Sequence, residues 1–312
     1  MPRALVTGAN GFVGKWLCRH LRDSGWEVLE TDRAFEVDGD TRRAVDICDA
    51  GSVRELADWA WPVDAVFHLA ASTFVPDSHA DPIPVWRVNV EGTAHLLGAF
   101  RRGETPPRFI NVSSAEVYGP PHNLPITEDH PLEPANPYAV SKAAADHFAR
   151  YAFETLGQPV IRARPFNHSG PGQSDQFVLS NFAKQLAQIE AGRQEPILRV
   201  GNLQAARDFT HVADVVRAYR LLAERGRPGE AYNICSGRAI TIQKALDTLI
   251  AESGLAVRIE TDPARMRAVD VVEAYGSHAK LTASTGWQPE KNFEDLARDL
   301  ITFWRENVPV GP

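Results

Sequence analysis

The stretch Thr7-Gly8-Ala9-Asn10-Gly11-Phe12-Val13-Gly14 decides the fold. It follows a short apolar run, residues 3–7, and opens a segment of helical period, residues 12–24. In a strand–turn–helix of this kind, Gly8 permits the tight turn and Gly11 lets the backbone approach a pyrophosphate. Gly14 then lets the helix pack closely on the strand. The pyrophosphate would rest on the positive end of the helix, beside Asn10, Phe12 and Val13. The spacing is Gly-x-x-Gly-x-x-Gly, so its place between strand and helix is what confirms the reading.

Outward from this turn, apolar runs at 27–31, 65–69, 108–112 and 160–163 read as buried parallel strands. Helical patterns at 52–61, 83–102 and 137–156 alternate with them. That alternation predicts an α/β fold, a Rossmann-type doubly wound parallel sheet with helices on both faces. After Arg164-Pro165-Phe166 the pattern loosens, with helices expected at 176–191, 211–224 and 241–252 and a strand at 196–200. The expected organisation is a dinucleotide-binding domain over 1–165, rejoined by roughly 205–235. Residues 166–312 would form mainly a smaller, discontinuous substrate lobe. The Pro-rich stretch 120–137 reads as a mobile flap ahead of the next helix.

Composition narrows the function classes. A formal net charge of −7 without a Lys/Arg cluster gives no footprint for nucleic acid. The three cysteines, Cys18, Cys48 and Cys235, are scattered and fit reduced thiols in a cytosol. No secretory leader and no bilayer-length apolar run stand out, so a soluble cytoplasmic protein is expected. The histidines show no metal spacing, so no metal is expected.

The end of the second strand bears on the cofactor. An acid there accepts hydrogen bonds from an adenosine ribose diol, whereas an arginine accommodates a 2′-phosphate. Asp32 and Arg33 are adjacent, and the reading leans to NADH with NADPH tolerated. Asp46-Ile47 either brackets the adenine ring or forms an ordinary turn. His68-Leu69-Ala70-Ala71 ends the third strand beside the cofactor, where small residues let the backbone come close.

Chemistry is carried by Tyr138-Ala139-Val140-Ser141-Lys142. Asn136 suits an N-cap and Pro137 a first helical position, so Tyr138 and Lys142 fall one turn apart on one face. A free phenol titrates near about 10, too high for acid–base work at neutral pH. A neighbouring ammonium would stabilise the phenolate and bring it into range. Lys142 is also placed to bond a nicotinamide ribose. Ser114 would bond the reacting oxygen, with Ser113 beside it at the strand end.

In this order the residues resemble those of extended short-chain dehydrogenases/reductases that modify nucleotide sugars. The resemblance is carried by the glycine motif, Asp46-Ile47, His68-Leu69-Ala70-Ala71, Asn89, Ser113-Ser114, Val117-Tyr118-Gly119, Tyr138/Lys142 and Arg164-Pro165-Phe166-Asn167. It spans essentially the whole chain. The second half is similar to the GDP-4-keto-6-deoxy-D-mannose reductases, which form GDP-D-rhamnose. That likeness lies in Asn167-His168-Ser169-Gly170-Pro171-Gly172-Gln173 and at 181–185, 200–203, 207–210, 232–237, 262–267, 276–281 and 285–287.

The resemblance implies NAD(P)H-dependent reduction of a C4 ketone on a GDP-linked sugar, with Pro165 beside the cofactor. Arginine suits a diphosphate better than lysine, which singles out Arg207 and Arg267, with Asn167 and Lys184 as polar helpers. Either arginine could instead form a surface pair, with Asp208 or Asp270. His168 faces substrate or is satisfied by backbone. Glu116 matches the base of GDP-mannose 4,6-dehydratases and keeps that activity open, as are a 4-epimerase and a GDP-6-deoxy-D-talose-forming reductase. The loop after His168, however, lacks the dehydratase-type Glu-Ser-Pro-Arg-Arg run. A non-catalytic nucleotide sensor would be expected to lose the Tyr/Lys pair. Relatives pair through the Tyr/Lys helix, so a homodimer is implied, with Ala143-Ala144-Ala145 allowing close approach.

Overall fold

Seven parallel strands form one sheet: β1 Arg3–Thr7, β2 Glu27–Thr31, β3 Arg42–Arg43, β4 Ala65–His68, β5 Arg108–Val112, β6 Val160–Pro165 and β7 Ala231–Ile234. The computed structural model describes residues 1–263 and 271–308. The spatial order is β7-β6-β5-β4-β1-β2-β3, so the winding reverses between β1 and β4. Open α/β sheets bind ligands at that reversal, outside the carboxyl ends of the strands.

Side chains alternate along each strand, and both faces are buried. Ala4, Val6, Phe67, Ile110 and Ile161 join one core with helices Phe12–Asp23 and Val212–Arg225. Leu5, Val66, Phe109 and Val160 join another with helices Ala50–Ala60, Gly92–Phe100 and Pro137–Glu154. The first core also takes in Leu281 and Trp287, whose indole Nε1 donates to the Asp214 carbonyl at 3.0 Å. Chain far beyond residue 235 therefore packs on the sheet.

A third core gathers helices Val178–Glu190, Ile242–Ser253 and Phe293–Asn307 around Leu198 and Val200. The last of these helices starts with a capping box of Asn292 and Asp295, a signal not used in the sequence reading. Strand Asn167–Ser169 pairs in parallel with Phe209–His211, joining this lobe to the sheet layer.

Two expectations are corrected. The helix expected at 83–102 is broken into Pro82–Trp86, one π-helical turn at Arg87–Glu91, and Gly92–Phe100. The wide turn accompanies Asn89, whose amide bonds Ser72 and Ser141 instead of leaving the helix regular. The Pro-rich flap is a fastened strap. Ile126 N–H donates to the Tyr275 carbonyl, Ser277 N–H donates to the Ile126 carbonyl, and Glu128 accepts from Asn233 N–H. Among the described residues no helix is long and apolar enough to cross a membrane.

Candidate active site

The glycine turn ends β1 at the sheet's reversal. Gly8 has φ +69°, and a Cβ there would stand 2.7 Å from the Ala70 nitrogen. A Cβ on Gly14 would collide with the Gly8 carbonyl and come within 2.8 Å of Ala9 Cα. Helix Phe12–Asp23 starts at Gly11 with no side-chain cap, leaving its leading N–H groups for an anion. The two glycines thus hold the turn tight against Ala70 and the helix tight against the turn, and the uncapped N–H groups at the helix start fit a dinucleotide's pyrophosphate.

Around the cradle, Phe12, Val13, Leu69, Ala70 and Ala71 are half-buried. Asp32 accepts from Asn10 N–H at 3.1 Å and Ala34 N–H at 2.9 Å, tying the turn to the loop after β2. Arg33 is exposed. Asp46 accepts from Cys48 N–H at 2.9 Å, and Ile47 is turned into the core against Gly92. Ala70 N–H donates to the Thr7 hydroxyl, which lies 2.8 Å from His68 Nδ1, and His68 Nε2 lies 2.9 Å from the Thr93 hydroxyl. Thr93 in turn donates to the Asn89 carbonyl, so this buried chain runs from the glycine turn to the π turn.

Asn136 caps helix Pro137–Glu154 by accepting from Ala139 N–H at 2.8 Å. This sets Tyr138 and Lys142, both buried, beneath the end of β5. Ser114 accepts from Glu116 N–H and opens the short 3-10 turn Ala115–Tyr118. Burial pushes the Tyr138 phenol up to about 12; its hydrogen bond with Ser114 works against that, and the nearby Glu116 carboxylate adds to it. Burial brings Lys142 down to about 8, opposed by Asp146. The expectation that Lys142 draws the phenol down is not met in this geometry. Its ammonium donates to the Val112 carbonyl at 2.8 Å, and desolvation governs Tyr138 instead. Glu116 is exposed and accepts from Asn136 Nδ2 at 3.2 Å.

Ser113 departs from its expected substrate contact. It lies just past the end of β5 and is 3% exposed, with Asp146 beside it.

Pro165 is buried at the end of β6, and Asn167 just beyond it is exposed. His168 Nδ1 lies 2.9 Å from the Phe166 carbonyl, and its ring stacks on Phe12. Pro171 accepts from the Trp16 indole, and buried Gln173 bonds Ser169 and the His168 carbonyl. The 167–173 loop is therefore largely a clasp between the lobe and helix Phe12–Asp23. Lys184 Nζ pairs with Asp175 at 2.6 Å and lies over the Trp304 ring. Arg207 Nη1 donates to the carbonyls of Ala206 and Val271. Asp208 turns inward and accepts from Ser236, Gly237 and Gly276. Arg267 lies outside the described residues.

Sequence reasoning passed over Asp146. It is wholly buried and bonded to both Arg162 and Arg164. Its i+4 spacing from Lys142 was the available signal.

Residues 5–300 match the family described as GDP-mannose 4,6 dehydratase. The chain is 37% identical to the GDP-6-deoxy-D-mannose reductase of Pseudomonas aeruginosa, over 98% of each chain. It is 33% identical to the UDP-glucose 4-epimerase of Streptomyces lividans, over 98% of this chain and 97% of that one. Among solved structures, RMD from Pseudomonas aeruginosa complexed with NADPH superposes with a TM-score of 0.89 at 36% identity, covering 99% of this chain and 100% of that one. The UDP-glucose 4-epimerase of Thermus thermophilus in complex with NAD gives 0.86 at 27% identity, covering 98% and 100%. The cradle, the Tyr/Lys helix and this full-length likeness agree: the chain belongs to the GDP-mannose 4,6-dehydratase-like extended short-chain dehydrogenases/reductases, a nicotinamide-dependent enzyme family.

Proposed function

We propose that the protein reduces the C4 ketone of GDP-4-keto-6-deoxy-D-mannose to GDP-D-rhamnose at the expense of NAD(P)H. What supports this reaction over the dehydratase and the epimerase is the 37% identity, over 98% of each chain, to a GDP-6-deoxy-D-mannose reductase. A buried phenol pushed up to about 12 keeps its proton at neutral pH, and reduction needs a donor at the developing alkoxide. An enzyme that begins by oxidising a C4 hydroxyl needs a base there instead.

A nicotinamide bound in the cradle would supply a hydride. Tyr138 gives its proton to the oxygen, and Ser114 donates a hydrogen bond to the same atom as charge builds, where such bonds count for rate. Lys142 orients the ribose from its seat on the Val112 carbonyl. Arg207, with Asn167 and Lys184, faces the GDP diphosphate in this reading, and Arg267 shares that role.

Purified protein given GDP-4-keto-6-deoxy-D-mannose should consume NADH or NADPH, and NMR of the product should show the D-rhamno configuration. No cofactor consumption when the keto-sugar is supplied, or a 6-deoxy-talo product, would overturn the assignment.

Glu116 favours one second reading, a GDP-mannose 4,6-dehydratase. Its carboxylate is exposed, held by Asn136 and close enough to Tyr138 to act on the phenol. For a reductase, Glu116→Gln is expected to change kcat less than about tenfold, a barrier difference under ~1.4 kcal/mol. A dehydratase would lose conversion of GDP-mannose altogether, which the same NMR assay reads.

The protein is also proposed to act as a homodimer. Ile83, Trp86 and Val140, 64%, 42% and 43% exposed, surround a hollow of about 390 Å³, and Tyr151 extends the patch along the same helix. Apolar clusters of this kind mark association surfaces. Ala143 and Ala145 are buried within the chain itself, so close approach falls to Val140 and Ala144. Val140→Glu is expected to halve the mass seen by sedimentation at micromolar protein; an unchanged mass would remove this face from the interface.

A further inference from the structure

We propose that Phe74 and Phe177 form an apolar roof over the sugar and select a methyl group on C5 over a hydroxymethyl group. This role deepens the GDP-linked keto-sugar reading above and rests on it.

The two rings come from opposite sides of the cleft. Phe74 lies in the segment after β4, in the sheet half of the molecule. Phe177 is the N-cap of helix Val178–Glu190, which belongs to the third core. Their centroids stand 6.4 Å apart with an interplanar angle of 77°, an edge-to-face contact. Both backbones are fastened locally. The Phe74 carbonyl accepts from the N–H of Ser78, which is 0% exposed. Phe177 N–H donates to the Ser174 carbonyl at 3.2 Å, and the Phe177 carbonyl accepts from Asn181 N–H at 2.8 Å.

Neighbouring bonds put the pair at the reacting end of the cleft. Two residues before Phe74, Ser72 donates its N–H to Asn89 Oδ1 at 2.8 Å, and its carbonyl accepts from Asn89 Nδ2 at 3.0 Å. The same Nδ2 donates to the Ser141 hydroxyl at 2.9 Å, and Ser141 donates to the Tyr138 carbonyl at 2.7 Å. Phe74 thus leaves a loop tied to the helical turn that carries Tyr138. Phe177 follows the 167–173 loop, which buried Ser180 holds by donating to the Gln173 carbonyl at 2.7 Å. A sugar with its C4 oxygen on Tyr138 and Ser114 has C5 one bond further on. The guanine of the same ligand lies beyond a ribose and a diphosphate, so the rings meet the hexose.

The pair stands outside the protein's own packing. Among the described residues neither ring joins an apolar core. Phe74 is half-buried, Phe177 is 37% exposed and Val178 beside it 38%. Exposed apolar groups clustered at a cleft mark a contact surface. A 6-deoxy-sugar presents a methyl to them, which gains by leaving water. A hydroxymethyl group would give up water partners that a phenyl ring does not replace.

The test is titration calorimetry on the protein saturated with NADPH, with GDP-D-rhamnose and GDP-D-mannose, which differ only by the hydroxyl on C6. Neither reacts with a reduced cofactor, so binding is read alone. The parent is expected to hold GDP-D-rhamnose at least about tenfold more tightly, within what an apolar pocket achieves against an added hydroxyl. Phe74→Ser and Phe177→Ser are expected to bring that ratio below about threefold, and Phe177→Leu, which stays apolar, to keep it. Equal affinities in the parent, a parental ratio in both serine variants, or equal weakening of both sugars would overturn the proposal. Should Phe74→Ser fail to fold, the Phe177 variants decide alone. A parent that binds neither sugar sinks the GDP-sugar reading itself, and the roof falls with it.

Discussion

Tyr138→Phe is expected to lower kcat by about 10²–10⁴-fold while leaving KM for the sugar nearly unchanged, the range usual for a positioned acid–base group. Phenylalanine keeps the ring, and with it the packing of a side chain that is only 8% exposed. What disappears is the O–H that bonds Ser114 and supplies the proton. A group that acts mainly in the transition state lowers kcat and kcat/KM together, so stopped-flow and steady-state rates should fall in step. Retention of most activity would show that the proton arrives from elsewhere, and the assignment of Tyr138 would fall.

Gly14→Ala is expected to be severely damaging to both stability and cofactor binding. The added Cβ meets the Gly8 carbonyl and Ala9 Cα, and these are backbone atoms of the turn that a rotamer change cannot move. Overpacking of this kind costs about 3 kcal/mol or more when nothing nearby can relax. The turn would have to open, carrying Gly8 away from Ala70 and dispersing the N–H groups that receive the pyrophosphate. Thermal unfolding and titration with NADPH, followed by its fluorescence, should show both losses. A variant that binds NADPH like the parent would mean that Gly14 is not the contact between helix and strand.

Features written in short stretches of sequence were legible. The glycine turn, the strands around it and the Asn136–Pro137 start of the Tyr/Lys helix depend on neighbours within a few residues, and the structure has them in place. Features set by distant partners were not. The π turn depends on Asn89 reaching Ser72 and Ser141, 17 and 52 residues away. β7 is four buried residues without alternation, recognisable only beside β6. The protonation states of Tyr138 and Lys142 follow from burial, which spacing does not report, and Asp146 gains its meaning from Arg162 and Arg164 on another element. The loop from Asn167 to Gln173 illustrates the opposite hazard. It is distinctive in sequence, yet much of it is bonded to its own backbone and to helix Phe12–Asp23.

The late arrival of β7 and Trp287 on the sheet has a consequence for how the protein is made. Synthesis runs from the N-terminus, and domains fold as their residues emerge. The glycine turn, Ser114, Tyr138 and Lys142 all leave the ribosome while β6 still has an unpaired edge and the core beside β1 lacks Leu281 and Trp287. An open strand edge is a template for pairing with other chains. A nascent chain stalled before β7 would therefore carry its whole catalytic set on a sheet that still lacks one strand and part of its core. Translation speed between β6 and β7 thus sets how long each new molecule is exposed to misassembly.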